Sequence, residues 1–160
     1  VDHFKGHPQK SAQLAERALK RLKASNDIIE KTVTLISVHD DYITMDSADI
    51  KAWLRRLDEA MTLDYIDLKI ADLSSHNLEH SQCEIDTLKE IKLKAEHIIS
   101  SGEPYKISHL NVKGNDLSQI GYVGREISQE LNRLIELVSA NPALNEKEKL
   151  LEISKNARRN

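Results

Sequence analysis

Three positions in this sequence have the side chains that bind divalent metals: His7, His39 and Asp72. Imidazole and carboxylate both ligate such ions. Their separations match no short local ligand motif, so exposed or helix-capping roles compete with a metal site on spacing alone. His39-Asp40 forms a His-Asp pair, followed by Asp41 and Tyr42. His76 and His80 lie one helical turn apart with Glu79 beside them and would give a weak two-histidine site. Cys83, the single cysteine, sits in the polar run Ser81-Gln82-Cys83-Glu84 with no cation nearby to favour its thiolate. Asp40-Asp41 has no apolar surroundings that would raise a carboxyl pKa for acid-base work. No Gly-x-Ser-x-Gly or His-Glu-x-x-His motif and no Cys/His dyad is present, so no catalytic residue is assigned.

A second constellation is the segment from Leu110 to Ile127, which holds Gly114, Gly121 and Gly124 together with Lys113 and Arg125. Glycines before a helix let backbone approach a phosphate, and the helix N-terminus offers free N–H groups. The segment is neither a P-loop nor a dinucleotide fingerprint, because no Gly-Lys-Ser/Thr follows and no strand precedes it. A phosphate-contacting turn and a plain helix-loop-helix corner stand as equal alternatives. Basic charge gathers at Lys10, Arg17, Lys20, Arg21 and Lys23, and again at Arg55-Arg56 and Arg158-Arg159; such faces are most often simply solvated. Trp53, with Leu57 one turn on, belongs to a core rather than to a stacking platform.

The elements that must carry these residues are helices. Pro8 suits a first helical position, and Ala12, Ala15, Ala18, Leu19 and Leu22 recur at steps of three and four. Ser25 or Asn26 caps a second helix through Ile28, Ile29, Val33, Ile36 and Val38. That β-branched run imitates a strand, but its length and its neighbours favour helix. A third helix follows Asp46 or Ser47 and carries Ile50, Trp53, Leu54 and Leu57. A fourth runs from about Leu63 to His76, and a fifth from Ser81 to Ser100, stopped by Gly102 and Pro104. In the tail a helix through Ile127, Leu131, Leu134, Ile135 and Val138 ends near Asn141-Pro142, and Asn145 caps the last one. The expectation is an all-α array of about seven helices with a glycine-containing helix-loop-helix tail.

Composition agrees. The 160 residues carry 39% hydrophobic and 31% charged side chains, with 5 Gly and 3 Pro, too little turn material for a β-sandwich or barrel. The net charge of −3 restricts any nucleic-acid contact to a local patch. One cysteine excludes a disulfide scaffold and a paired-cysteine zinc site, and with no signal peptide or membrane-length apolar run it points to the cytoplasm and no membrane. The chain opens on Val1, which suggests a piece of a longer protein.

The segments Phe4-Lys5-Gly6-His7-Pro8, Ser11-Ala12 and Leu19-Lys20-Arg21-Leu22-Lys23 resemble the later part of the HD domain in bacterial CCA-adding tRNA nucleotidyltransferases. Leu35-Ile36-Ser37-Val38-His39 and Lys69-Ile70-Ala71-Asp72 follow in the expected order. The stretch Lys113-Gly114-Asn115-Asp116-Leu117, then Gly121, Gly124-Arg125-Glu126-Ile127, Leu131 and Leu134, is similar to that family's C-terminal segment. Asn141-Pro142 and Asn145 followed by Leu150-Leu151 continue it. The resemblance covers nearly the whole chain.

This resemblance implies residues 1–101 as a truncated HD-like region and 102–160 as a helical tail. It implies tRNA as a partner, with Lys113, Gly114, Gly121, Gly124 and Arg125 in contact with it. His7, His39 and Asp72 become downstream members of an incomplete metal-binding set. The family's Gly-Ser and Asp-x-Asp head, its nucleotide-selecting neck, and the leading His and His-Asp of the HD domain have no counterpart here. The chain is therefore expected not to transfer nucleotides alone, because two-metal catalysis needs closely placed carboxylates. No cofactor is expected in this piece, whereas the parent enzyme would use a divalent metal such as magnesium. The absent head and neck are further partners, and an apolar face left uncovered near the N-terminus would favour a homo-oligomer. The alternative is a metal-dependent HD-type phosphohydrolase, with its missing ligands supplied by a second chain.

Overall fold

The computed structural model describes residues 6–75 and 78–159, and among them all side chains except those of residues 78–80 and 159. The described residues form eight α-helices and no strand. In chain order these are α1 (His7–Arg21), α2 (Asn26–Val38), α3 (Ser47–Leu57), α4 (Glu59–Ser74), α5 (Leu78–Ser101), α6 (Gly114–Gln119), α7 (Arg125–Ala140) and α8 (Lys147–Arg159). Short 3-10 turns cover Ile107–His109 and Pro142–Leu144. The helix beyond the expected number is α6, which at six residues is too short to show apolar periodicity.

Local chemistry sets most boundaries. Gly6, at φ +83°, turns the chain into α1, and Pro8 occupies its first turn. The Ser25 hydroxyl accepts from Ile28 N at 3.4 Å and opens α2, so the β-branched run is helical. Asp58 accepts from Met61 N at 2.9 Å, and this cap starts α4 a turn earlier than Leu63. Gly102, at φ +71°, ends α5. Asn145 does not cap α8, which begins at Lys147. Its side chain donates instead to His109 O at 2.9 Å and accepts from Asn111 N at 3.0 Å.

The chain divides into two compact units, Val1–Thr44 with Leu57–Lys92 and Met45–Arg56 with Leu93–Asn160. In the first, α1 and α2 run antiparallel, with His7 at the start of one meeting His39 at the end of the other. This hairpin is thinly covered: Ala12 is the one buried residue of α1 and Val38 that of α2. Leu14, Leu22 and Ile28 remain exposed, and Ile29, Val33 and Ile36 are half-buried. Elsewhere in this unit Tyr65, Ile66, Ile85, Leu88 and Ile91 are buried.

The second unit has a continuous hydrophobic core of Leu110, Val112, Leu117, Tyr122, Leu134, Ile135, Val138 and Leu150, with Ile127 and Leu131 packed against it. Burying side chains of this size contributes about 1.5–3 kcal/mol each relative to leaving them in water. That burial is what holds the glycine segment against α7 and α8. No helix among the described residues is long and apolar enough to cross a membrane.

Candidate functional site

Two places gather the residues singled out above, one in each unit. In the first unit, His7 Nε2 lies 3.3 Å from His39 Nε2, and the rings meet edge-on. Asp40 reaches both imidazoles at 3.2 Å. One ligating atom from each of His7, His39 and Asp40 lies within 4.8 Å of the others. His39 Nδ1 is 2.6 Å from Ile36 O. A carbonyl only accepts, so Nδ1 holds a proton and Nε2 is the ring atom turned toward His7 and Asp40. This is the orientation a metal ligand needs. The turn after α2 is pinned from α4: Lys69 Nζ donates to His39 O at 3.1 Å and to Asp41 O at 3.4 Å, and the Tyr65 hydroxyl donates to Asp41 O.

Two of the three expected ligands thus come together, and the carboxylate beside them is that of Asp40. Asp72 lines a cleft of about 280 Å³ with Ser11, Ile36, His39, Leu68 and Lys69 and is not one of the clustered three. The His39-Asp40 adjacency was the signal for Asp40, because a residue following a helix-ending histidine can fold back onto it. Two imidazoles and one carboxylate suit zinc, iron or nickel better than magnesium, which favours oxygen ligands. The three side chains are 45%, 33% and 51% exposed, so water competes at every position. Accordingly, dialysis against a chelator is expected to leave well under one metal ion per chain. Residual zinc binding should be lost in His39→Ala. Stoichiometric metal surviving the chelator would show a complete site. His76 and the side chains of Glu79 and His80 lie outside the described residues.

In the second unit the three glycines do different work. A Cβ on Gly114 would come 3.2 Å from Ile127 Cγ2, so this glycine lets α6 pack closely on α7. Gly121, at φ +97°, closes α6: Gly121 N donates to Ser118 O at 3.0 Å and Tyr122 N to Leu117 O at 3.1 Å, the Schellman pattern. A Cβ there would fall 1.8 Å from Arg158 Nη1, because the Arg158 guanidinium lies on this glycine. Gly124, at φ +53°, precedes α7 and has nothing within 4 Å of a Cβ, so its backbone is open.

The charges around this corner are largely arranged. Lys113 N donates to Asp116 at 2.8 Å, Lys113 Nζ to Ser108 O at 3.0 Å, and Lys147 pairs with Asp116 at 2.5 Å. The Lys147 contact, then the Lys113 N–H, hold the Asp116 carboxyl below its ordinary pKa. Glu126 accepts from Val123 N at 3.1 Å, so a carboxylate already faces the turn that leads into α7. Arg125 is exposed. Arg158 donates to Ile120 O at 3.0 Å and covers the Tyr122 ring. It borders a cleft of about 440 Å³ with Gln119, Ile120 and Lys155, and a second of about 380 Å³ that includes Tyr122, Gln129 and Arg133. Arg158 and Lys155 are the residues that sequence reasoning did not connect to the glycine segment. Arg158 stood out only as half of a basic pair.

No known protein family, curated protein or solved structure matches the chain.

Proposed function

We propose that this chain is the tRNA-binding body and tail of a CCA-adding tRNA nucleotidyltransferase, and that it does not transfer nucleotides by itself. The ordered resemblance of its segments to that family motivates the reading. The observation that carries it is the seating of Arg158 on Gly121, which brings an exposed guanidinium and Lys155 to the glycine segment where Lys113 and Arg125 already stand. Nearby acids are engaged: Asp116 with Lys147, Glu130 with Arg133, and Glu126 with backbone. Lys113, Arg125, Lys155 and Arg158 thus stand along the glycine segment with the Glu126 carboxylate among them, on a chain of net charge −3. Phosphate contacts of this kind position a nucleic acid without reading its sequence, so different tRNAs should bind alike.

Binding is expected to be weak and to fall steeply with salt. Arg125→Glu should weaken it and lower the salt slope by about one phosphate contact. Its circular dichroism should not change, because Arg125 is exposed at a loop-helix junction. Filter binding of a tRNA transcript across a salt series checks this. Equal affinity of the folded variant would make the glycine segment a structural corner only. Incorporation of labelled CTP or ATP into tRNA by the pure chain would contradict the non-catalytic part.

The clustering of His7, His39 and Asp40 favours a second reading, a metal-dependent phosphohydrolase of the HD type that takes further ligands from another chain. Metal-stimulated hydrolysis of a generic phosphodiester, lost in His39→Ala, would select it over the first.

A further inference from the structure

From the exposed apolar residues and charge of the α1/α2 hairpin, we infer that its outer face docks an acidic amphipathic helix of a partner protein. This is independent of the tRNA reading. The inward face of α1, with Ala12 buried and Ala15 and Leu19 half-buried, is occupied within the unit. A second apolar row stands on the solvent side: Leu14 and Leu22 are 65% and 77% exposed, with exposed Ala18 midway at the i+4 step. Ile28, 53% exposed at the start of α2, is a further exposed apolar side chain of the hairpin. Exposed Arg17 and Arg21 border the row on one side, and exposed Lys10 stands one step before Leu14 in the same i+4 series. Residues 7–39 hold six basic and three acidic side chains, a net of +3 in a chain whose total is −3.

A row one side chain wide packs against a single helix, and its basic edge selects acidic side chains on that helix. A second copy meeting this face with its own hairpin would bring +3 against +3. Phosphates would leave the leucines in water and gain nothing from them. A bilayer takes up a broad apolar face, and the broad face of α1 is already used.

The probe is a labelled three-heptad peptide with leucine at a and d and glutamate at e and g, titrated into the full chain by fluorescence anisotropy. A control peptide carries lysine in place of glutamate. The acidic peptide should bind at least about tenfold more tightly than the control. Leu14→Asp should reduce its affinity at least about tenfold while the helical signal is kept, because Leu14 is exposed. Arg17→Glu lowers the net charge of residues 7–39 from +3 to +1 and should narrow the preference between the two peptides. No binding of the acidic peptide, or binding unchanged by both substitutions, overturns the proposal. So does a dimer in sedimentation that Leu14→Asp abolishes, which assigns the face to a second copy. Binding of tRNA or of phosphatidylserine vesicles that Leu14→Asp abolishes assigns it to those partners and likewise overturns it.

Discussion

Lys51→Ala is expected to lower the unfolding free energy of the second unit by about 2–5 kcal/mol, the cost of truncating a buried side chain and leaving a buried carbonyl without its donor. The Lys51 side chain is 2% exposed and its ammonium is held by two neighbours of α3 in the fold. It pairs with Glu103 at 2.7 Å and donates to Ser139 O, near the end of α7, at 2.9 Å. Arg55, one turn on, donates to the Ser139 hydroxyl at 2.8 Å, and its burial lowers the guanidinium pKa. Alanine would remove the charge and leave a void and an unsatisfied carbonyl. Lys51→Met keeps the apolar stem but still strands the Ser139 carbonyl and Glu103, the latter 34% exposed and able to hydrate, so its cost should be smaller than that of alanine by the void alone. Urea unfolding followed by the fluorescence of Trp53, the only tryptophan and on the same helix, separates the two. Equal midpoints for alanine and wild type would mean that the ammonium does not join these elements.

The second large effect concerns Glu130. This residue of α7 is 6% exposed, accepts from Arg133 at 2.6 and 2.8 Å, and accepts the Ser154 hydroxyl of α8 at 2.5 Å. The Arg133 bonds hold its carboxyl below the ordinary pKa, helped by Ser154 and outweighing burial. A lowered folded pKa stabilises above the unfolded carboxylate value, and this contribution is lost as pH falls through the folded one. Stability should therefore be flat near neutrality and decline in the acid range. Glu130→Gln should cost about 1–3 kcal/mol at neutral pH, toward the lower end because half-exposed Arg133 recovers water. It should also flatten the acid decline. A variant whose midpoint falls with pH as steeply as the wild type would place that decline on other carboxylates.

Periodicity made the long elements legible. Ile85, Leu88, Ile91, Ala95 and Ile98 mark the buried face of α5, and Leu134, Ile135 and Val138 that of α7. Both patterns follow from one apolar stripe on a helix. Side chains that serve contacts distant in sequence were illegible. Asn145 has the chemistry of a helix cap, but its amide is used by His109 and Asn111. Gly121 and Arg158 lie in different elements, and nothing local says that a guanidinium will rest on that glycine. At the histidine cluster His7 and His39 were visible as residue types, whereas the choice of Asp40 beside them depends on how α2 ends and how Lys69 holds the following turn.

The two units are interleaved along the chain, and this orders their assembly during synthesis. Residues 45–56 belong with 93–160, while 57–92 return to the unit begun by 1–44. A ribosome that has released residue 92 has delivered every part of the first unit, but α3 still lacks most of its own. The 88 residues between Lys51 and Ser139 take on the order of ten seconds to emerge at about 5–20 residues per second. Until Ser139 emerges, Lys51 lacks the carbonyl that receives it in the folded unit. For the same reason no cut at a single peptide bond yields two complete units: any fragment that keeps one whole carries a stranded piece of the other.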